Sequence, residues 1–143
     1  MPPHSTAILW PMFALAGWTM CMLLFLAFRR VKASAVHKIS PREYALGESA
    51  RVPAPVIQAN RNYMNLLELP MLFYVLCLIV LVMQCGTPTL MTLAWVYVAL
   101  RLVHSLVHVT YNHVMHRFAV FAASNVVLTV LWMLVGIALY SRP

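Results

Sequence analysis

The sequence predicts an all-α integral membrane protein, a bundle of four transmembrane helices forming one domain over residues 1–143. Three observations carry that expectation: few charges, four apolar runs long enough to cross a bilayer, and basic residues gathered on one side of those runs. Of 143 residues, 63% are hydrophobic and 9% charged, and the mean hydropathy is +0.82. Soluble domains carry about 25% charged and 45–50% apolar residues. A chain this short encloses no core able to hide the excess, so lipid must solvate it.

The first run, about residues 7–28, is uncharged. It is too long for a signal-peptide core, and Met1, Pro2, Pro3 and His4 place no basic stretch before it, so no cleaved signal is expected. The second run, about 56–84, contains Arg61 and Glu68; the third, about 89–111, contains Arg101, His104 and His108; the fourth, about 118–140, is uncharged. Each meets the roughly 20 helical residues that cross about 30 Å of hydrocarbon. Backbone polar groups must be satisfied internally in lipid, and these runs exceed barrel-strand length, which leaves helices.

The net charge of +7 does not point to nucleic acid, because of where it sits. Arg29, Arg30, Lys32, Lys38, Arg42 and Arg51 share one inter-helix segment. That is the positive-inside pattern, and it assigns segment 29–55 and turn 112–117, with His113, His116 and Arg117, to the cytoplasm. Both termini and the uncharged turn at Cys85, Gly86, Thr87 and Pro88 then lie outside. Trp10, Trp95 and Tyr140 fall at the outer interface, as an aromatic belt does. Segment 29–55, punctuated by Pro41, Pro53 and Pro55, is too long for a turn; it reads as a mobile loop, with a lid over a cytoplasmic-side site as the alternative. Cys21, Cys77 and Cys85 are odd in number and form no CxxC, so they read as small core hydrophobes. The ten methionines read as packing or lipid-facing side chains.

The polar residues of runs two and three need a reason. A charge near the centre of a membrane helix costs at least about 2.5–3.5 kcal/mol on insertion scales. Arg61, Asn65 and Glu68 fall on one helical face, as do Arg101, His104 and His108, with Tyr111 continuing that face. In an antiparallel pair, residues at equal depth have position numbers of constant sum. That relation sets Arg61 level with His108, Asn65 with His104, and Glu68 with Arg101. At about 1.5 Å per residue the last pair lies on the order of 12–16 Å deep, where a carboxylate and a guanidinium are expected to pair. One or two such contacts suffice to hold two helices together; three layers opening toward the basic side suggest a pocket for an anionic ligand. The spacing of His104 and His108 also suits metal ligands, with His113 and His116 following, but Arg61 and Arg101 would repel a cation, so no metal is expected.

The series Arg61, Asn65, Glu68, Pro70 and Phe73 resembles the second-helix signature of the MAPEG family, the membrane-associated proteins of eicosanoid and glutathione metabolism. Arg101 and His104, followed by a basic turn with Arg117, are similar to that family's third helix and the turn after it. The resemblance, to a bacterial-type member, covers nearly the whole chain. It implies a homotrimer with glutathione sites at subunit interfaces, open toward the cytoplasm. By position, it implies that Arg61, Asn65, Glu68, Arg101 and His104 hold glutathione or order its site, and that Arg117 stabilises the thiolate. Gln58 stands where members often carry a basic residue, His108 where a tyrosine is common, and Phe118 where a serine can follow the arginine. The polar ladder adds His108 and Tyr111 to the candidate binding residues.

Two functions follow as expectations. The first is a glutathione-dependent transferase or peroxidase whose lipophilic electrophile arrives from the bilayer, with glutathione as co-substrate. The second is a non-catalytic lipid-binding protein of the same fold. Retention of Arg61, Asn65 and Glu68 favours the enzyme.

Overall fold

The computed structural model describes residues 3–44 and 49–141. Residues 1–2, 45–48 and 142–143, on which parts of the expectations for the termini and segment 29–55 fall, lie outside the described residues. The architecture is helical, with no strand among the described residues. Its elements are α1 (Pro3–Ala7), α2 (Leu9–His37), a 3-10 turn (Pro41–Tyr44), α3 (Ala54–Leu67), α4 (Pro70–Met83), α5 (Pro88–Val109) and α6 (Val114–Tyr140). Four spans are long and apolar enough to cross a membrane: His4–His37, Ala54–Met83, Pro88–Val109 and Val114–Tyr140. The protein is an integral, multi-pass membrane four-helix bundle.

The first span runs beyond the apolar stretch that predicts it. The 29 residues of α2 rise about 43 Å, against a hydrocarbon layer of about 30 Å. Residues 29–37, expected in a loop, therefore form helical turns that carry Arg29, Arg30 and Lys32 out of the lipid. The segment that follows is anchored as well. Ile39 and Val52 are buried with Leu26, Ala33, Val56 and Ala59 in a small cluster separate from the main core. Arg30 donates to Asn60 Oδ1 at 3.2 Å and lies over the Tyr44 ring, while Arg51 bonds Glu43 at the surface.

The second span breaks where Pro70 sits. Proline lacks an N–H and its ring collides with the carbonyl four residues back, here that of Leu66. Helix α3 accordingly ends at Leu67, Glu68 leaves helical geometry at φ −80° and ψ −98°, and α4 restarts at Pro70. At the far end, Gln84 takes a left-handed conformation (φ 51°) that closes α4 by returning its N–H to the carbonyls of Leu81 and Val80. Thr87 then caps α5, its Oγ1 accepting from Leu90 N–H at 3.2 Å, with Pro88 in the first helical turn. The chain start packs on this turn: Gly86 N–H donates to Ser5 Oγ at 3.0 Å. A Cβ on Gly86 would lie 2.5 Å from the Ser5 nitrogen, so only glycine fits there.

The core lies mostly in the half of the bundle beyond Pro70. Phe73, Leu76, Cys77 and Val80 of α4 meet Ala94 and Tyr97 of α5 and Leu131 and Val135 of α6. The Phe73 and Tyr97 rings sit 4.6 Å apart. Trp10, Phe13, Met20, Leu24 and Phe28 of α2 and Val126, Met133 and Ile137 of α6 face outward, which suits lipid or another apolar surface.

Candidate functional site

Helix α3 sets the site through two neighbouring faces. Val56, Ala59, Asn62 and Leu66 form its buried stripe. At about 100° per residue, Arg61, Asn65 and Glu68 share a face turned roughly 60–120° from Asn62. Four hydrogen bonds join α3 to α5. Gln58 Nε2 donates to the His108 carbonyl. Asn62 Nδ2 donates to Ser105 Oγ at 2.7 Å. Arg101 Nη2 donates to the Asn65 carbonyl at 2.7 Å and also to its Oδ1.

This register corrects the expected ladder. His108 meets Gln58 rather than Arg61, and Arg101 meets Asn65 rather than Glu68, each partner lying three positions earlier on α3. The residues of α3 that meet α5 are Gln58, Asn62 and Asn65, between the buried stripe and the charged pair Arg61 and Glu68, which turn aside to line the cavity. Glu68 is exposed and makes no ion pair among the described residues, so the expected Glu68–Arg101 pair is absent.

The helix break explains what Arg101 does instead. The carbonyl of Asn65 belongs to the last turn of α3, where no intrahelical donor remains. A cation there both fills the carbonyl and complements the negative end of the helix. Arg101 is fully buried, and its Nε and Nη1 have no hydrogen-bond partner. Its guanidinium lies 5.8 Å from the Phe121 ring.

Beside this contact opens a cavity of about 440 Å³. Its polar wall carries Arg61, Asn65, Glu68, His104, His108 and Arg117, and its apolar wall Met64, Val114, Phe118 and Phe121. The expected site residues thus converge with two exceptions: Arg101 sits behind Asn65, and Tyr111 points away, 61% exposed, its hydroxyl 3.2 Å from His116 Nδ1. The turn after α5 is shorter than expected: α5 ends at Val109, Asn112 (φ 48°) reverses the chain with its N–H on the Val107 carbonyl, and α6 begins at Val114. Arg117 therefore stands in the first helical turns of α6. Its Nη1 donates to Asn112 Oδ1 at 2.8 Å and lies 3.5 Å from His108 Nε2.

The histidines are held in defined states. His104 Nδ1 lies 3.1 Å from the Arg117 carbonyl. A carbonyl only accepts, so Nδ1 carries the hydrogen and Nε2 keeps its lone pair. That Nε2 is buried without a partner, as is Nδ1 of His108. The two rings stand edge to face, 5.9 Å apart. Sequence reasoning missed Asn62, Ser105 and the apolar wall. An apolar series at Val114, Phe118 and Phe121, spaced for one helical face around Arg117, was the available signal.

A sequence model of the MAPEG family matches residues 8–137. No curated protein and no solved structure gives a match. With the matched region covering nearly the whole chain and four spans forming the bundle, the chain belongs to the MAPEG family, whose members are membrane proteins linked to eicosanoid and glutathione metabolism.

Proposed function

We propose that the protein catalyses glutathione transfer to, or glutathione-dependent reduction of, a lipophilic electrophile. The observation that carries this reading is the two-sided cavity. One wall offers two guanidinium groups, a carboxylate, an amide and two imidazoles; the other is apolar. At about 440 Å³ it falls within the roughly 300–1,000 Å³ of small-molecule sites. Glutathione brings two carboxylates, an ammonium and a thiol. Arg61 suits a carboxylate, Glu68 the ammonium, and Asn65 either, while Met64, Val114, Phe118 and Phe121 suit a lipophilic co-substrate.

Arg117 is the residue proposed to act on sulfur. It lies near the N-terminal end of α6, where the helix dipole is already positive and no acidic side chain offsets it. A cation there does nothing for the helix; it suits an anion. A thiol between Arg117 and Arg61 should ionise more readily than in water, because nearby cations favour the thiolate. The thiolate sulfur then attacks the electrophilic carbon to form a thioether, either displacing a leaving group with its electron pair or, in a conjugate addition, leaving a carbanion that takes up a proton. With a hydroperoxide the sulfur attacks the terminal oxygen and the O–O bond breaks to release the alcohol; a second glutathione then converts the sulfenic acid to the disulfide and water. The exposed apolar faces of α2 and α6 support assembly as a homotrimer. The basic turns of α2 and the cavity mouth share one end of the bundle, proposed to be the cytoplasmic side. Titration calorimetry with glutathione tests the binding half: saturable binding in wild type should weaken strongly in Arg61→Ala. If wild type binds a fatty-acyl lipid but no glutathione, the non-catalytic reading replaces this one.

A further inference from the structure

A second cavity, of about 90 Å³, lies at the same end of the bundle but shares no residue with the first. Arg29, Lys32 and His37 of α2 line one side, and Pro53, Pro55 and Val56 the other. We propose that it binds the phosphate of an anionic lipid headgroup.

The helical repeat explains the basic side. Arg29, Ala33 and His37 are spaced four residues apart, on one face of α2, with Lys32 beside them. The small Ala33, also lining the cavity, leaves room between the longer side chains. Opposite, the prolines form a stiff wall with no N–H of their own. Among the described residues no carboxylate lines the space. Arg29 lies over the Phe25 ring at 4.8 Å, and its Nε is buried without a hydrogen-bond partner. A buried donor of this kind calls for an acceptor, and a phosphate supplies several to a guanidinium at once.

Position chooses lipid over a soluble ligand. Arg29 directly follows the uncharged apolar run, so the cavity sits where helix leaves hydrocarbon. Phe28 and Val36 are exposed beside it, 62% and 63%, which suits acyl chains attached to a phosphate held by Arg29 and Lys32. The volume admits a phosphate-sized group and excludes a tripeptide, so this site is distinct from the one proposed for glutathione.

Native mass spectrometry of the purified full chain, with phosphatidylglycerol and phosphatidylcholine offered together, tests the proposal. Wild type should retain phosphatidylglycerol selectively and saturably. Removing one of the basic charges that line the cavity should weaken that retention about fivefold. Lys32→Gln, at an exposed position, should show this loss, and Arg29→Lys, which keeps the charge, should lose less than Arg29→Gln. Arg42→Gln removes the same charge outside the cavity and should leave retention unchanged. Equal losses in Lys32→Gln and Arg42→Gln would mean general surface attraction and overturn the site. Displacement of the lipid by millimolar inorganic phosphate, with phosphate then bound in its place, would overturn the lipid assignment.

Discussion

The two halves of the second span, α3 and α4, are each 14 residues long and made for different tasks. Helix α4 buries Phe73, Leu76, Cys77 and Val80 against apolar neighbours. Helix α3 instead bonds α5 through Gln58, Asn62 and Asn65 and turns Arg61 toward a cavity. Pro70 divides them. The half beyond the proline is held by packing, which tolerates no missing volume. The half before it is held by directed bonds, some of them incomplete, which is the condition of a place that receives a ligand. Stability and function are therefore expected to respond separately to change on the two sides of the break.

The largest expected effect is on the packed side. Phe73→Ala should cost about 3–5 kcal/mol, through lost transfer energy and the cavity left against Tyr97. Unfolding in mixed micelles would measure this, and glutathione affinity of the folded fraction should hold. A loss of affinity as large as the loss of stability would show the halves are coupled.

The next effect lies at the boundary. Arg101→Met removes the donor to the last turn of α3 and should cost about 1–3 kcal/mol, the penalty for an orphaned buried acceptor. Glu68→Gln should change stability by less than about 0.5 kcal/mol, being exposed. Combined, the two should add to within about 0.5 kcal/mol. A strong coupling energy would restore the ion pair that the structure lacks. Smaller again, Asn62→Leu leaves Ser105 without its partner and should cost about 1–2 kcal/mol. Smallest, Arg51→Gln breaks an exposed pair with Glu43 and should stay below about 0.5 kcal/mol after solvent screening.

The same division separates what was legible in the sequence from what was not. The four spans were legible because lipid imposes a run length that composition cannot disguise. Arg61, Asn65 and Glu68 were legible as one face because helical periodicity fixes it. The register between α3 and α5 was not, since level-by-level pairing assumes that the most polar faces look at each other. In the structure Gln58, Asn62 and Asn65 meet α5, three positions off the level-by-level register, while Arg61 and Glu68 turn aside to the cavity. Pro70 carried an unread signal: a proline inside an apolar helix frees carbonyls, and a buried arginine on the next helix can fill one. The end of α2 was misread for a related reason. Arg29, Arg30 and Lys32 marked the end of the hydrocarbon, and the helix outlasts it.

The account rests most heavily on Arg117, the cation near the start of α6 at the cavity mouth. Ultraviolet difference absorbance of the thiolate, recorded as glutathione is added to purified protein, tests it directly. Wild type should give a saturable thiolate signal at a pH where free glutathione remains largely protonated. Arg117→Ala should lose that signal and turnover while still binding glutathione by calorimetry. Saturable glutathione binding with no thiolate signal in wild type, or an undiminished signal in Arg117→Ala, would contradict the account.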